Sequence, residues 1–403
     1  MADPKLDTQF IGTRGPLFML AVKTSLLTVL TLGIYRFWMK TKLRRYYWSS
    51  VRISGVPLEY VGQPIEKLLG FLMAVVILAF YLGIVNLLLM FASFSLFQSN
   101  VAAYALSFLG VIPLWFFAMY RAQRYVLGRT RWRGIRFGLD PGAWGYAFRA
   151  LWHWLLTILT LGLLWPRMTF WLEKYKTDRT WFGDQRLVQG GRWTMLFPAA
   201  LPVILTFLAM AGAIAAMVGL PMLSGGSLGE ASEMVWAAGI VLAIAIFVLP
   251  FTATYYWVRS LELLTNTKQA GELTLEFQPS TARVCRIIFF GNFMVWFLVS
   301  LMLLFIGLVI VFGAGGQDIE QLTAIGALPV WVTIAFTALT YFVIYIMWGA
   351  LRHVYVRQPM WKHFSEQITL AGAPALNGVA QRDRDERRDA EGFSEALDLG
   401  GAI

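Results

Sequence analysis

One cysteine, Cys285, stands in a chain of 403 residues, and only three histidines, His153, His353 and His363, accompany it. A lone thiol excludes an internal disulfide and any cysteine-rich zinc site. No two histidines lie four apart, so a His-Glu-x-x-His zinc helix is excluded as well. The chain also lacks a phosphate-cradling Gly-x-x-x-x-Gly-Lys loop and a dinucleotide Gly-x-Gly-x-x-Gly turn. No enzyme, metal or cofactor is expected. Charge is scarce: Asp, Glu, Lys and Arg make up 14% of the chain, against about a quarter in a soluble protein. What fills the space is apolar. Hydrophobic residues reach 58% and aromatics 15%, with a mean hydropathy of +0.61, which excludes a water-soluble fold and implies a polytopic membrane protein.

Basic residues outnumber acids 34 to 23, and their placement is informative. Lys and Arg are absent from 68–120, 193–258 and 287–351. A helix crossing the hydrocarbon core needs about 20 apolar residues, so each stretch holds two spans around a short polar break. The breaks are Ser93 to Asn100, Leu220 to Glu233 and Gly313 to Gly326. They carry no basic residue, while the flanks are rich in Arg and Lys, so the breaks face outward. Six spans in three hairpins result, at 68–91 with 101–120, 194–219 with 234–258, and 287–312 with 328–350. Pro198 and Pro202 mark 194–219 as the candidate discontinuous helix.

Two more apolar segments, 16–38 and 146–171, have basic residues on both sides. Lys23 and Arg36 enclose 12 residues, about 18 Å of helix, short of a full crossing. Arg149 and Arg167 enclose 17. Crossing at the second would also carry Lys174, Lys176, Arg179, Arg186 and Arg192 outward. Re-entrant or interfacial helices are the expectation; an eight-span chain with an inverted second half is the alternative.

Both segments contain nearly one octet. Leu26-Leu27-Thr28-Val29-Leu30-Thr31-Leu32-Gly33 and Leu155-Leu156-Thr157-Ile158-Leu159-Thr160-Leu161-Gly162 differ only at Val29/Ile158, and at the same offset Tyr46 meets Tyr175. The copies extend over about 8–62 and 135–191. A looser echo places a short strand, a turn and a second strand after each helical exit. It recurs around Ser54-Gly55, Gly134, Gly183-Asp184 and Ala270-Gly271, and across Tyr355–Gly372. The expected fold is therefore all-α and polytopic with short cytoplasmic β-hairpins, in a membrane domain over 1–372 followed by a disordered tail over 373–403. Residues 1–9 lack the features of a signal peptide.

Thr-Leu-Gly-Ile-Tyr at 31–35 with Trp38 and Arg44-Arg45-Tyr46, echoed by Thr-Leu-Gly-Leu-Leu-Trp-Pro at 160–166 and Glu173-Lys174-Tyr175, resembles the YjgN-like family of bacterial inner-membrane proteins, a domain of unknown function. The resemblance covers roughly 8–372. It implies a bacterial inner membrane and a polytopic architecture, and it supplies no reaction or ligand. The second copy departs from the pattern with Leu164 for Tyr35 and Trp165 for Arg36.

Ionisable groups inside membrane segments mark function or headgroup depth. Here they are Lys23, Arg149 and His153, the last two four apart on one face. Thr28, Thr31 and Gly33, with Thr157, Thr160 and Gly162, either end a half-membrane helix or line a polar cavity. Arg44, Arg45, Arg121 and Arg124 belong to juxtamembrane basic clusters that suit anionic lipid rather than nucleic acid. Cys285 sits between Arg283 and Arg286. No span contains an acid, which argues against ion coupling. Two functions compete: an uncoupled transporter or channel-like protein for a small or lipidic solute, and a non-transporting scaffold that organises lipid through its basic face.

Overall fold

The computed structural model describes residues 5–97, 100–223, 228–313 and 330–382. Helices and short strands alternate in a fixed order, in five rounds of strand, helices, strand. The first round is β1 (Leu6–Phe10), α1 (Arg14–Leu30), α2 (Arg36–Ser50) and β2 (Val51–Ile53). The second is β3 (Val56–Tyr60), α3 (Pro64–Phe80), a π turn (Tyr81–Val85), α4 (Asn86–Phe97), α5 (Asn100–Gly128) and β4 (Thr130–Trp132). The third is β5 (Ile135–Leu139), α6 (Ala143–Leu159), α7 (Trp165–Thr177) and β6 (Thr180–Phe182). The fourth is β7 (Gln185–Gln189), α8 (Phe197–Leu223), α9 (Leu228–Asn266) and β8 (Lys268–Ala270). The fifth is β9 (Leu273–Phe277), α10 (Thr281–Gly313), α11 (Val330–Arg352), α12 (Gln358–Glu366) and β10 (Ile368–Ala371).

Each round passes to the next through a two-residue turn. Ser54-Gly55 and Arg133-Gly134 hold positive φ at both positions, as a type I′ turn requires. Gly183 and Gly271 supply positive φ at the first position of the other two turns. The fourth turn is thus Gly271-Glu272, one residue beyond Ala270-Gly271. Residues 355–372 depart from the expected hairpin: they hold part of a π turn (His353–Arg357), α12 and the single strand β10. No second run exists there because 358–366 winds as a helix that buries Gln358, His363 and Ser365.

The chain divides into two compact units. The first comprises the chain up to Asp7, Ile65–Thr281 and the chain from Gln367. Its strands pair antiparallel: β10 lies between Leu6-Asp7 and β9, β9 pairs with β8, β8 with β7, β7 with β6, β6 with β5 and β5 with β4. Its core includes Ala199, Ala200, Val203, Ile204 and Tyr256 where α8 meets α9; the small residues let the two backbones approach closely. The second unit comprises Thr8–Pro64 and Ala282–Glu366. There Thr8–Phe10 pairs with β2, β2 pairs with β3, and Val295, Val299 and Leu351 form a cluster against Phe18 and Trp348.

Among the described residues, four helices are long and apolar enough to cross a membrane: Trp193–Gly219, Glu233–Asn266, Thr281–Leu308 and Val330–Glu366. They expose Trp236, Phe247, Phe290, Phe305 and Trp331, as a helix facing hydrocarbon does. The segments 68–91 and 101–120 fall on α3–α4 and α5. The π turn separates α3 from α4, and Gly83–Ser95 counts as a shorter apolar helix. Of the outward breaks, Gly313 to Gly326 lies almost wholly outside the described residues, as do 98–99, 224–227 and 383–403; the rest of the first two breaks is helical, since α4 runs to Phe97, α5 starts at Asn100, α8 runs to Leu223 and α9 starts at Leu228. Pro198 does not interrupt a span: it sits in the first turn of α8, where its missing N–H has no helical partner to lose. Order also extends past residue 372. A 3-10 turn over Ala373–Gly378 buries Leu376, the Asp184 amide donates to Ala380 O at 2.9 Å, and the Arg136 amide donates to Gln381 Oε1 at 2.8 Å. The charged run that suggests disorder begins only at Arg382.

Candidate functional site

The two octets fold alike. Each forms the end of a helix, a five-residue turn and the start of a returning helix, as α1–turn–α2 and α6–turn–α7. The chain reverses by a Schellman termination. Gly33 N–H reaches Thr28 O at 2.7 Å and Leu32 N–H reaches Val29 O at 3.0 Å; Gly162 reaches Thr157 O at 2.8 Å and Leu161 reaches Ile158 O at 3.0 Å. Leu32 and Gly33 have φ of 51 and 93°, and Leu161 and Gly162 have 50 and 88°. Glycine takes this conformation freely, whereas a leucine there costs about 1–2 kcal/mol.

The threonines serve the same turns. Thr28 and Thr157 donate to the carbonyls of Thr24 and His153 and touch Met39 and Met168 Sδ on the returning helix, both at 3.9 Å. Thr31 and Thr160 donate to Leu27 and Leu156 and accept the Tyr35 and Leu164 amides at 2.9 and 3.2 Å. All four hydroxyls are therefore spent on the hairpins themselves. At the opposite end, Tyr46 Oη donates to Thr13 O at 2.6 Å and Tyr175 Oη to Gly142 O at 2.8 Å. These are the residues just before α1 and α6, so each tyrosine ties the end of the returning helix to the start of the outgoing one.

The tips are apolar and bare. Leu30 and Leu32 are 69 and 92% exposed, and Leu159 and Leu161 are 70 and 73% exposed; Ile34 and Leu163 join them.

The basic candidates separate on inspection. Lys23 lies exposed on α1 with no hydrogen bond or ion pair among the described residues. The Arg149 guanidinium lies 4.7 Å over the Tyr175 ring, and His153 Nδ1 donates to Arg149 O at 2.7 Å. Arg44 stacks on Tyr60 and Trp48, and Arg45 donates to Gly62 O at 3.0 Å, fastening α2 to the β2–β3 hairpin. Cys285 is half-buried on α10.

Each unit holds a cavity lined by basic residues. A cavity of about 370 Å³ is lined by Arg121, Arg124, Gly142, Trp144 and neighbours; Arg124 Nε also donates to Leu139 O at 3.0 Å. A larger one of about 690 Å³ is lined by Thr13, Arg14, Arg283, Arg286, Lys362, His363 and others, with Glu366 its single acid. Of the cationic lining, only Arg121 and Arg124 stood out as lipid contacts in the sequence. Arg283 and Arg286 carried a signal, an i,i+3 pair at the mouth of a span, and Arg14 and Lys362 had none.

On α7, Glu173 bridges Lys176 at 2.8 Å and Lys268 at 2.7 Å. Burial alone would raise its pKa, but the two lysines hold the carboxyl well below the usual carboxylate range.

Inner membrane protein YjgN of Salmonella typhimurium is 30% identical over 147 residues, covering 34% of this chain and 33% of that relative. The chain thus aligns with about a third of the length of that relative. No solved structure matches. The family model described as bacterial protein of unknown function, DUF898, matches residues 5–295, and the chain belongs to this family.

Proposed function

We propose that this chain is a multi-pass inner-membrane protein with six spans, that its two Thr-Leu-Gly hairpins dip into the cytoplasmic leaflet without crossing it, and that it organises anionic lipid rather than moving solute. One observation carries the reading. Both hairpins keep a leucine in a left-handed conformation that glycine would relieve, and both leave it almost bare at the tip. Water penalises that choice twice, through backbone strain and apolar exposure; hydrocarbon removes the second penalty and turns the leucines into anchors.

Further features agree. α1 is 17 residues long, about 26 Å at 1.5 Å per residue, so a chain reversing at residue 32 lies within the bilayer when Thr13 is at headgroup level. The four octet hydroxyls return to their own hairpins, which removes the polar cavity that a broken-helix carrier needs. No acid lies within 68–91, 101–120, 194–219, 234–258, 287–312 or 328–350. The positive flanks put the β-hairpins on the cytoplasmic side, and the inner membrane is where the named relative resides.

The test is depth. In a Cys285→Ser background, spin labels at Leu32→Cys and Leu161→Cys in liposomes are expected to be accessible to oxygen and shielded from a water-soluble nickel chelate. Labels open to the chelate overturn the re-entrant reading. Sustained solute flux through the same liposomes overturns the lipid-organising one.

A further inference from the structure

The two cavities share a construction that a merely solvated surface does not require. Each is bordered by the residue that precedes a hairpin's outgoing helix, Thr13 before α1 and Gly142 before α6. Neither helix start has a side-chain cap, and neither has an acid in its first turn. First-turn amides without a cap present unsatisfied donors and the positive end of the helix dipole. Each cavity then adds an arginine pair spaced i,i+3, which places both members on one helix face: Arg283 with Arg286, and Arg121 with Arg124. Arg14 and Lys362 also line the larger cavity, with Lys362 paired to Glu366 at 3.9 Å. Helix-start amides and arginine forks both match tetrahedral oxyanions. The volumes, about 690 and 370 Å³, lie in the range of about 300–1,000 Å³ that suits a small organic ligand.

We infer that each hairpin base is a binding site for one phosphate group, supplied by the phosphodiester of an anionic glycerophospholipid. The lipid source rests on the re-entrant reading, which brings the start of each outgoing helix to headgroup level. Tyr46 and Tyr175 then act as positioning residues, since their hydroxyls hold the Thr13 and Gly142 carbonyls and with them the amides of the first turn.

The experiment uses the purified full chain in detergent with three probes: short-chain phosphatidylglycerol, short-chain phosphatidylcholine and inorganic phosphate. Phosphatidylglycerol is expected to bind at two sites, and phosphatidylcholine far more weakly. Arg283→Gln with Arg286→Gln, and Arg121→Gln with Arg124→Gln, each weaken one site by about 30-fold, taking each basic residue at its usual worth near anionic lipid. Arg192→Gln, an exposed arginine outside both cavities, leaves binding unchanged. Should a double glutamine variant fail to fold, the matching double lysine variant keeps the charge and loses the fork, and a loss of several-fold is expected. Binding that is equal for the two lipids, or unchanged in both double variants, overturns the inference. Inorganic phosphate that binds and competes where phosphatidylglycerol does not overturns the lipid source. Spin labels buried at the tips together with unchanged lipid affinity would sink this inference and leave the re-entrant reading standing.

Discussion

The hairpins of residues 14–50 and 143–177 have the same turn and different neighbours. Their backbones agree bond for bond from Thr28 to Met39 and from Thr157 to Met168, yet the positions just after the glycines diverge. In the first hairpin Tyr35 stacks on Trp38 at 5.9 Å and accepts from Lys42 Nζ at 2.6 Å, an interaction within the hairpin. In the second, Leu164 replaces the tyrosine, and Trp165 packs on Phe207 of α8 and Tyr256 of α9. Thr169 adds a hydroxyl contact to Tyr256 at 2.7 Å. The reversal is thus written in the octet, while the side chains beyond the glycine answer to the helix alongside. Both hairpins lie beside a long helical pair: the second docks through the Trp165 indole, whereas the first packs Phe18 of α1 against α10 and α11 and keeps Tyr35 for a contact of its own.

The comparison predicts graded outcomes. The largest effect belongs to Gly33→Val and Gly162→Val, which force a β-branched residue to φ of 93 and 88°. A loss of about 2 kcal/mol or more is expected at each, read as a fall in thermal midpoint in detergent. Equal losses support a shared local turn; a loss at only one position breaks the equivalence.

Next comes Glu173, whose ion pairs have no counterpart in the first hairpin, where Arg44 occupies the matching position. Its folded pKa lies below the unfolded value of about 4.3. Its stabilisation is therefore complete above about pH 4.3 and is lost as the pH falls through the folded value. Glu173→Gln should lower the thermal midpoint near neutral pH, by an amount on the order of 1 kcal/mol, and flatten its decline between about pH 6 and 3. An unchanged acid limb would show that the lysines do not hold the carboxyl.

The smallest effect is Tyr35→Phe, which removes an exposed hydrogen bond worth about 0.5 kcal/mol. A larger drop would mean that the tyrosine takes part in more than the hairpin's own closure.

Local chemistry was the legible part. The octets announced both reversals because Thr-Leu-Gly holds the cap, the strained residue and the relieving glycine in consecutive positions. The two-residue turns were readable because a glycine between short apolar runs has few other uses. Assembly was not legible. The larger cavity joins Arg14 to Arg283 and Lys362, residues that no local pattern links. The spacing of Arg149 and His153 gave no sign that the Arg149 guanidinium lies over the Tyr175 ring. The ordered stretch to Arg382 was hidden because its partners, Asp184, Arg136, Asp140 and Trp181, lie far away in sequence, which composition does not record.

One pairing sets a timetable for synthesis. Most strands meet the strand made just before them, so those pairs can form as the chain emerges and spans enter the bilayer in turn. Leu6 and Asp7, in contrast, pair with Leu370 and Thr369. Nearly the whole chain must be made before those two residues find their partners, and until then the newborn N-terminus holds open main-chain donors and acceptors at the membrane surface. A ribosome stalled before residue 368 would leave that edge unsealed, exposed to proteases and to the strands of other nascent copies.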